Sequence, residues 1–213
     1  MSELSADQDL VEEVIALRDG ELTIARPRDS EALIDEDAFV RTEFMPYWAE
    51  LWPSGVALAR RLAGRALHGA RIVELGCGLG LPSLVAARAG GRVLATDWSA
   101  AALERLQCNA TANGLSLATA RVDWAAPAEL LAQAPFDLVL AADVLYERRN
   151  VSLMLSLLPA LGQEVWLADP GRSFTEAFLE QAPRLFALHT RREGGISIHR
   201  LVPHERVTLA RRP

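Results

Sequence analysis

The sequence contains no lysine, and all 22 of its basic residues are arginine. This absence excludes mechanisms that need a Schiff-base lysine, a lysine general base or the lysine of a phosphate-binding loop. The net charge of the 213 residues is −6. The chain therefore lacks the overall positive field typical of a dedicated nucleic-acid-binding protein, and we expect no nucleic-acid partner.

Cysteine is scarce, since Cys77 and Cys108 are the only thiols in the sequence. No Cys-x-x-Cys pair exists, which excludes a structural zinc site of the usual kind. The four histidines are scattered along the chain without the spacing of metal ligands. We therefore expect no metal ion, while one disulfide stays possible without being implied.

Long hydrophobic runs are missing as well. No segment approaches the ~20 apolar residues that a membrane-spanning helix needs. Residues 1–9 carry acidic side chains rather than the basic and apolar regions of a secretory signal. We therefore expect a protein that does not associate with membranes and is located in the cytoplasm. Because half of the residues are hydrophobic, we also expect the chain to form one globular domain.

The first 54 residues differ in pattern from the rest of the chain. Residues 5–17 have a capping residue, an acidic first turn and apolar spacing that predict a helix. A short strand is expected at 21–25, and the acidic stretch 28–44 predicts a surface arm or lid. We therefore divide the chain into an N-terminal helix and lid or arm segment, 1–54, and a regular domain, 55–213.

From residue 55 onward, strands and helices alternate, which predicts an α/β fold with a mostly parallel sheet covered on both faces. Helices are expected at 55–68, 82–89, 99–113, 151–161 and 173–181, and strands at 71–75, 92–96, 118–122, 136–141 and 164–168. Two more strands, 186–192 and 196–202, are joined by Glu193-Gly194-Gly195. No helix fits between them, so we expect them to form an antiparallel hairpin at the end of the chain.

A glycine-rich loop at Gly76, Gly78 and Gly80 lies between the first predicted strand of the domain and a helix. Glycines at such a turn allow the backbone to approach a nucleotide-like ligand closely. Leu81 stands where a pyrophosphate-binding fingerprint needs its third glycine. Asp97, at the end of the next strand, offers a carboxylate to a ribose diol. The pattern indicates a ribose-bearing cofactor without a pyrophosphate, and a tight turn with strand-end charges is the alternative.

These residues belong to five motifs that resemble those of the class I S-adenosylmethionine-dependent methyltransferases over about residues 45–203. Within that class, the chain more specifically resembles methyltransferase family 16, which contains nicotinamide N-methyltransferase-like proteins and many protein-lysine methyltransferases. It implies a Rossmann-like, seven-stranded, mostly parallel sheet with a C-terminal antiparallel hairpin. The motifs are Pro46-Tyr47-Trp48-Ala49-Glu50-Leu51-Trp52-Pro53-Ser54-Gly55, Val73-Glu74-Leu75-Gly76-Cys77-Gly78-Leu79-Gly80, Ala95-Thr96-Asp97-Trp98, Asp123-Trp124 and Ala142-Asp143-Val144-Leu145-Tyr146.

The resemblance implies S-adenosylmethionine as cofactor, with S-adenosylhomocysteine as product. Glu74 is then expected at the methionine end, Asp97 at the ribose and Asp123 at the adenine amine. The tryptophans have core or interface packing as their alternative role. The implied cofactor-binding residues are Trp52, Glu74, Gly76, Gly78, Gly80, Asp97, Trp98, Asp123, Trp124 and Ala142.

Asp143 and Tyr146 form an acidic-x-x-aromatic motif that the resemblance associates with the methyl acceptor of lysine-modifying members. A carboxylate and an aromatic wall can orient an amine and its departing proton. An N-capping aspartate and a buried tyrosine are the alternative. Asp169-Pro170-Gly171-Arg172 resembles the corresponding turn of the branch that methylates the electron-transfer flavoprotein β subunit, and is also a common turn sequence.

The sequence thus predicts a protein-lysine methyltransferase with a protein substrate. A methyltransferase acting on a small amine or pyridine such as nicotinamide is the first alternative. A non-catalytic binding module with the same fold is the second alternative. A dinucleotide oxidoreductase is disfavoured by Leu81 and by the terminal hairpin.

Overall fold

The computed structural model describes residues 9–30 and 46–204. Its first element is a β-hairpin, so the helix predicted at 5–17 is wrong over the described residues. Strand β1, Leu10–Leu17, pairs antiparallel with β2, Gly20–Pro27. The β-branched residues of β1 suit a strand, and cross-strand pairing overrides the local helical spacing. The predicted strand at 21–25 is confirmed within β2, while most of the predicted arm falls on residues 31–45, outside the described part.

The hairpin is attached to the rest of the fold through the side-chain amides of one residue in a helix and of the residue that follows that helix. Asn109 Oδ1 accepts the backbone N–H of Ala25 at 2.9 Å, and Asn113 Oδ1 accepts that of Thr23 at 3.0 Å. These amides take the place of a third strand and satisfy backbone groups at the hairpin edge. Ile24 and Leu22 of the hairpin join the same apolar core as the central sheet.

A seven-stranded sheet forms the centre of the molecule. Its strands are β3, Arg71–Leu75, β4, Arg92–Asp97, β5, Ala118–Arg121, β6, Leu138–Ala142, β7, Val165–Asp169, β8, Phe186–Glu193, and β9, Ile196–Pro203. Their order in the sheet is β5-β4-β3-β6-β7-β9-β8. The first five strands in this order are parallel, and β9 pairs antiparallel with both β7 and β8. The predicted α/β class and terminal hairpin are therefore confirmed.

Helices cover both faces of the sheet. The helices are α1, Pro53–Leu62, α2, Leu81–Arg88, α3, Ala100–Ala112, α4, Ala128–Leu131, α5, Arg148–Leu161, and α6, Thr175–Gln181. Helices α1 to α3 pack on one face with the N-terminal hairpin, and α4 to α6 pack on the other. Alternate strand residues therefore enter two cores, as with Ile72 and Val73.

Local capping rules account for the best-predicted helix. Ser99 caps α3 because its side chain accepts the backbone N–H of Ala102. Gly114 follows the helix with a φ of +66°, the left-handed conformation expected after a helix end. Helix α4 was not predicted from the sequence, because one turn is too short for a clear apolar period.

Candidate active site

The predicted site residues lie along the carboxyl edge of the five parallel strands. The strand order places Asp123 after β5, Asp97 at the end of β4 and the glycine-rich loop after β3. Ala142 ends β6 and is followed by Asp143. Because the carboxyl ends of parallel strands share one edge, residues far apart in sequence come together here.

Each glycine of the loop adopts a positive φ and has a different neighbour. The φ values are +63° at Gly76, +50° at Gly78 and +74° at Gly80. A Cβ on Gly76 would lie 3.1 Å from the Trp124 ring, and one on Gly78 would lie 3.2 Å from the backbone oxygen of Trp48. A Cβ on Gly80 would lie 2.1 Å from Leu106. The loop is therefore enclosed on three sides, and only glycine fits at these positions.

Asp97 joins the glycine-rich loop to the start of α3. Its Oδ2 accepts the backbone N–H of Gly78 at 2.8 Å, and its Oδ1 accepts that of Ser99 at 2.9 Å. Burial raises the pKa of Asp97, and these amide bonds oppose the rise. A carboxylate has about four acceptor positions, so about two remain for ribose hydroxyls. The geometry fits the predicted ribose contact.

Glu74 is buried at the end of β3, beneath the loop. Its Oε2 accepts both the backbone N–H and the hydroxyl of Ser83, at 2.9 and 2.5 Å. Burial raises the pKa of Glu74 to about 8, and the negative charge of Asp97 adds to the rise. Glu74 is therefore largely protonated at neutral pH, and a cationic ligand beside it favours its ionised form. Together with Asp97, it fits the positively charged S-adenosylmethionine.

The residues predicted to surround the adenine lie at the outer end of this edge. Trp98 is 47% exposed, and the Arg121 guanidinium stacks 4.7 Å from its ring centre. Trp124 is half-buried against the second core, beside Gly76. Asp123 is exposed, and its Oδ1 accepts the backbone N–H of Ala125 at 2.8 Å. Trp124 therefore lies within contact range of the glycine-rich loop.

Asp143 is almost fully buried and has a φ of +58°, which is unusual for a residue other than glycine. Its Oδ1 accepts a hydrogen bond from Arg172 Nε at 2.9 Å, and Arg172 Nη2 forms an ion pair with the same oxygen at 2.8 Å. Burial raises the pKa of Asp143, and Ser54 and Arg172 oppose that rise. Backbone strain together with a buried charge is typical of functional sites.

Aromatic side chains form a wall next to Asp143. The Tyr47 and Tyr146 rings meet edge to face at 5.5 Å, and those of Tyr47 and Trp52 at 6.3 Å. The Trp52 indole N–H donates to the Tyr47 backbone oxygen at 2.8 Å, which fixes the ring. Tyr146 is 40% exposed, so the alternative of a fully buried tyrosine is wrong. The aromatic wall is therefore accessible to solvent at Tyr146.

Two residues of this site, Arg172 and Ser54, were not predicted as functional. Ser54 is fully buried in α1, and it lowers the pKa of Asp143. Neither Ser54 Oγ nor Asp143 Oδ2 completes a hydrogen bond of good geometry within the described part of the chain. Arg172 follows the end of β7, and that position was the signal that could have assigned it to this edge.

Within residues 9–30 and 46–204, no three His, Cys, Asp or Glu side chains are grouped closely enough to hold a metal ion. The thiols of Cys77 and Cys108 are both free. No helix in those ranges combines the length and the hydrophobicity needed to cross a membrane.

The sheet order and the terminal hairpin define the fold of the class I S-adenosylmethionine-dependent methyltransferases. The chain resembles the Thermus thermophilus 16S rRNA N2 G1207 methyltransferase, solved with AdoMet and guanosine, with a TM-score of 0.67 at 16% identity over 92% of this chain and 51% of that one. It also resembles the Synechocystis magnesium protoporphyrin IX methyltransferase with bound SAM, with a TM-score of 0.54 at 20% identity over 83% and 98% of the two chains. At these identities the likeness establishes the fold.

Residues 47–166 match the lysine methyltransferase family, and the chain belongs to that family. This match contains all the glycines of the loop and both Asp97 and Asp143. The family resemblance drawn from the sequence motifs is therefore confirmed.

Three relatives illustrate the range of acceptors named in the family. The Xenopus laevis electron transfer flavoprotein beta subunit lysine methyltransferase is 30% identical over 60% of this chain and 54% of its own. The mouse protein N-lysine methyltransferase METTL21A is 37% identical over 52% and 53%. The human histone-arginine methyltransferase METTL23 is 32% identical over 51% and 60%. The matched region thus spans about half the length of these relatives.

Proposed function

We propose that this chain is a cytoplasmic S-adenosylmethionine-dependent methyltransferase that modifies a lysine of a protein substrate. The observation that carries the proposal is that the carboxyl edge of the sheet has two adjoining parts, one suited to a cofactor and one to a methyl acceptor. A glycine-rich loop with buried Glu74 and Asp97 suits a cationic nucleoside cofactor, and Asp143 with its aromatic wall suits an amine. The curated relatives are named as enzymes that methylate lysine or arginine residues, which supports a protein acceptor.

In this proposal, the cofactor-binding residues named from the sequence hold the cofactor against the carboxyl edge. The bound cofactor supplies a methyl group that its sulfonium has already activated. Asp97 and the loop amides orient the ribose, and Glu74 faces the cationic methionine end. We propose the regular domain, 55–213, as the catalytic unit and residues 1–54 as a separate N-terminal segment.

On the acceptor side, Asp143 accepts a hydrogen bond from the incoming amine and directs its lone pair. Its pKa is raised by burial, so the carboxylate is a suitable temporary acceptor for the proton that the amine must lose. The aromatic wall contacts the aliphatic part of the lysine and excludes water from the nucleophile. Alignment of the two reactants then accounts for most of the rate.

A protein arginine is a second candidate acceptor. The observation that favours it is that a guanidinium, that of Arg172, already fits against Asp143 with one hydrogen bond and one ion-pair contact to Oδ1. A planar guanidinium stacked on an aromatic ring is a common arrangement in proteins.

Transfer of labelled methyl from S-adenosylmethionine into a cell extract tests the proposal. The extract is separated into protein and small-molecule fractions, and labelled protein is hydrolysed to distinguish methyl-lysine from methyl-arginine. The Asp143→Ala variant is the control. Because the enzyme contains no lysine, methyl-lysine cannot arise from its own side chains.

We expect a labelled protein band that yields methyl-lysine and disappears with the variant. Methyl-arginine would favour the second candidate. Label confined to small molecules would indicate an amine or pyridine acceptor instead. A chain that binds the cofactor but transfers no methyl to either fraction would contradict the enzyme assignment in favour of a binding module.

A further inference from the structure

The acceptor side of the site already holds a cation from the chain itself. Arg172 donates a hydrogen bond from Nε to Asp143 Oδ1 at 2.9 Å, and its Nη2 lies in ion-pair contact with the same oxygen at 2.8 Å. The same guanidinium lies 5.1 Å from the centre of the Trp52 ring. A carboxylate on one side and an aromatic face on the other are the two contacts that recognise an ammonium or guanidinium group.

The backbone that carries Arg172 is anchored separately from its side chain. Asp169 is fully buried, and its Oδ1 accepts the backbone N–H groups of Gly171 and Arg172 at 2.7 and 2.8 Å. Its Oδ1 also accepts the Thr175 hydroxyl at 2.5 Å. The side chain of Arg172 is 26% exposed. It can therefore leave Asp143 by rotation while the turn stays in place.

The two oxygens of Asp143 differ in their surroundings. Oδ2 is buried and lacks a hydrogen-bond partner among the described residues, and the buried Ser54 hydroxyl is close enough to affect the pKa of this carboxyl group. Oδ1 faces the partly exposed Arg172. A cation that enters from solvent therefore meets the oxygen that Arg172 occupies, and the two compete for it.

We propose that Arg172 is a built-in occupant of the acceptor position, which the incoming lysine or arginine side chain must displace. An acceptor therefore needs enough binding energy to displace the Arg172 side chain from Asp143. This requirement selects acceptors whose surrounding peptide also binds the enzyme. Weak free amines in the cell are excluded by the same competition. This inference rests on the proposed function, since it assigns Asp143 to the acceptor.

The first test measures competition in the protein without cofactor. The probe is n-butylammonium, which reproduces the end of a lysine side chain, and the reporter is the indole N–H resonance of Trp52. The Arg172→Ala variant should bind the probe at least about ten-fold more tightly than the wild type, because a tethered competitor that is hydrogen-bonded and ion-paired to Asp143 is removed. Arg200→Ala, which removes an arginine bonded to Glu164 at the start of β7, should leave the affinity unchanged.

The second test introduces a single amine at the occupant's position through Arg172→Lys. The ammonium group of the introduced side chain would first give its proton to water. The nitrogen lone pair would then form the N–C bond to the methyl carbon, while the C–S bond breaks and its electron pair stays on sulfur. After incubation with S-adenosylmethionine, peptide mass spectrometry should find methylation at position 172 at least about 100-fold above that at position 200 in Arg200→Lys, owing to proximity.

Both results are required. Equal probe affinity in the wild type and Arg172→Ala would overturn the proposal. So would an Arg172→Lys protein that binds the cofactor normally, as measured by calorimetry, and stays unmethylated. These failures are distinct from failure of the proposed function, in which the wild type neither binds S-adenosylmethionine nor labels a cell extract.

Discussion

The two halves of the site are built in different ways. The cofactor half is made from backbone: three left-handed glycines, each enclosed by a neighbour, and a buried carboxylate that fastens the loop through Gly78. The acceptor half is made from side chains, with a strained Asp143, a movable arginine and a partly exposed Tyr146. The first half suits a single ligand of fixed shape, whereas the second can exchange one cation for another.

The largest expected effect comes from the most enclosed glycine. Gly80→Ala should lower the free energy of unfolding by about 4 kcal/mol, since it combines left-handed backbone strain with overpacking against Leu106. Gly114→Ala is the matched control, because Gly114 has a similar φ of +66° and no atom within 4 Å of its Cβ position.

We expect Gly114→Ala to cost only about 1–2 kcal/mol, the backbone contribution alone. Urea denaturation of both variants measures the difference. Equal losses would mean that the loop is not held by packing and would remove the main distinction between the two halves.

The second prediction asks whether the halves can be separated. Asp143→Ala should reduce turnover by about 100-fold, the lower range for loss of a group that handles a proton. The affinity for S-adenosylmethionine should stay unchanged, because the bonds of Asp143 are directed to Arg172 rather than to the loop.

Turnover is measured with the labelled substrate found in the extract experiment, and affinity by calorimetry. Asp137→Ala is the control, since Asp137 is an exposed carboxylate at the opposite end of β6 that bonds the Arg71 backbone. A variant of Asp143 with normal turnover would remove it from the acceptor site.

The contrast also explains what could be predicted from the sequence. The glycine spacing, Asp97 and the terminal hairpin are local patterns, and each was assigned correctly to a turn, a strand end or a strand pair. The acceptor half was predicted only as far as Asp143 and Tyr146. A further contact in this half joins Trp52 to Arg172, which lies 120 positions later in the chain. The local spacing of apolar residues, which predicts helices and strands, does not reveal such a contact.

The hairpin β1–β2 was missed for a related reason. The pairing of its two strands decides its conformation, together with the side-chain amides of Asn109 in α3 and of Asn113 just after α3. These asparagines lie more than 80 positions away in the chain. The local helical spacing of residues 10–17 was real but weaker than these contacts.

The third prediction removes a residue of the cofactor half and asks whether cofactor binding is lost. Asp97→Ala should weaken binding of S-adenosylmethionine by about 1.5–3 kcal/mol, because a charge-assisted partner of the ribose is lost and the loop amide of Gly78 loses its acceptor. Asp123→Ala should have a smaller effect, under about 1.5 kcal/mol, since that carboxylate is exposed. Calorimetry decides between them, and unchanged affinity in Asp97→Ala would contradict the ribose assignment.

The smallest expected effect, measured per pH unit, concerns the charge state of the cofactor half. The folded-state pKa of Glu74, about 8, is above its ordinary value of 4.5. The folded state therefore holds the proton more strongly than the unfolded state. The stabilising contribution of the protonated group is complete below pH 4.5, and it is lost as the pH rises towards 8.

Glu74→Gln keeps a neutral side chain at every pH. The unfolding free energy of the wild type, minus that of the variant at the same pH, should fall by up to about 1.4 kcal/mol per pH unit within this window. Urea denaturation at several pH values measures this difference, in which other titrating groups cancel. If this difference in unfolding free energy does not change with pH, the pKa of Glu74 is not raised and the group is ionised in the folded protein. A cationic ligand would then not be needed to ionise it.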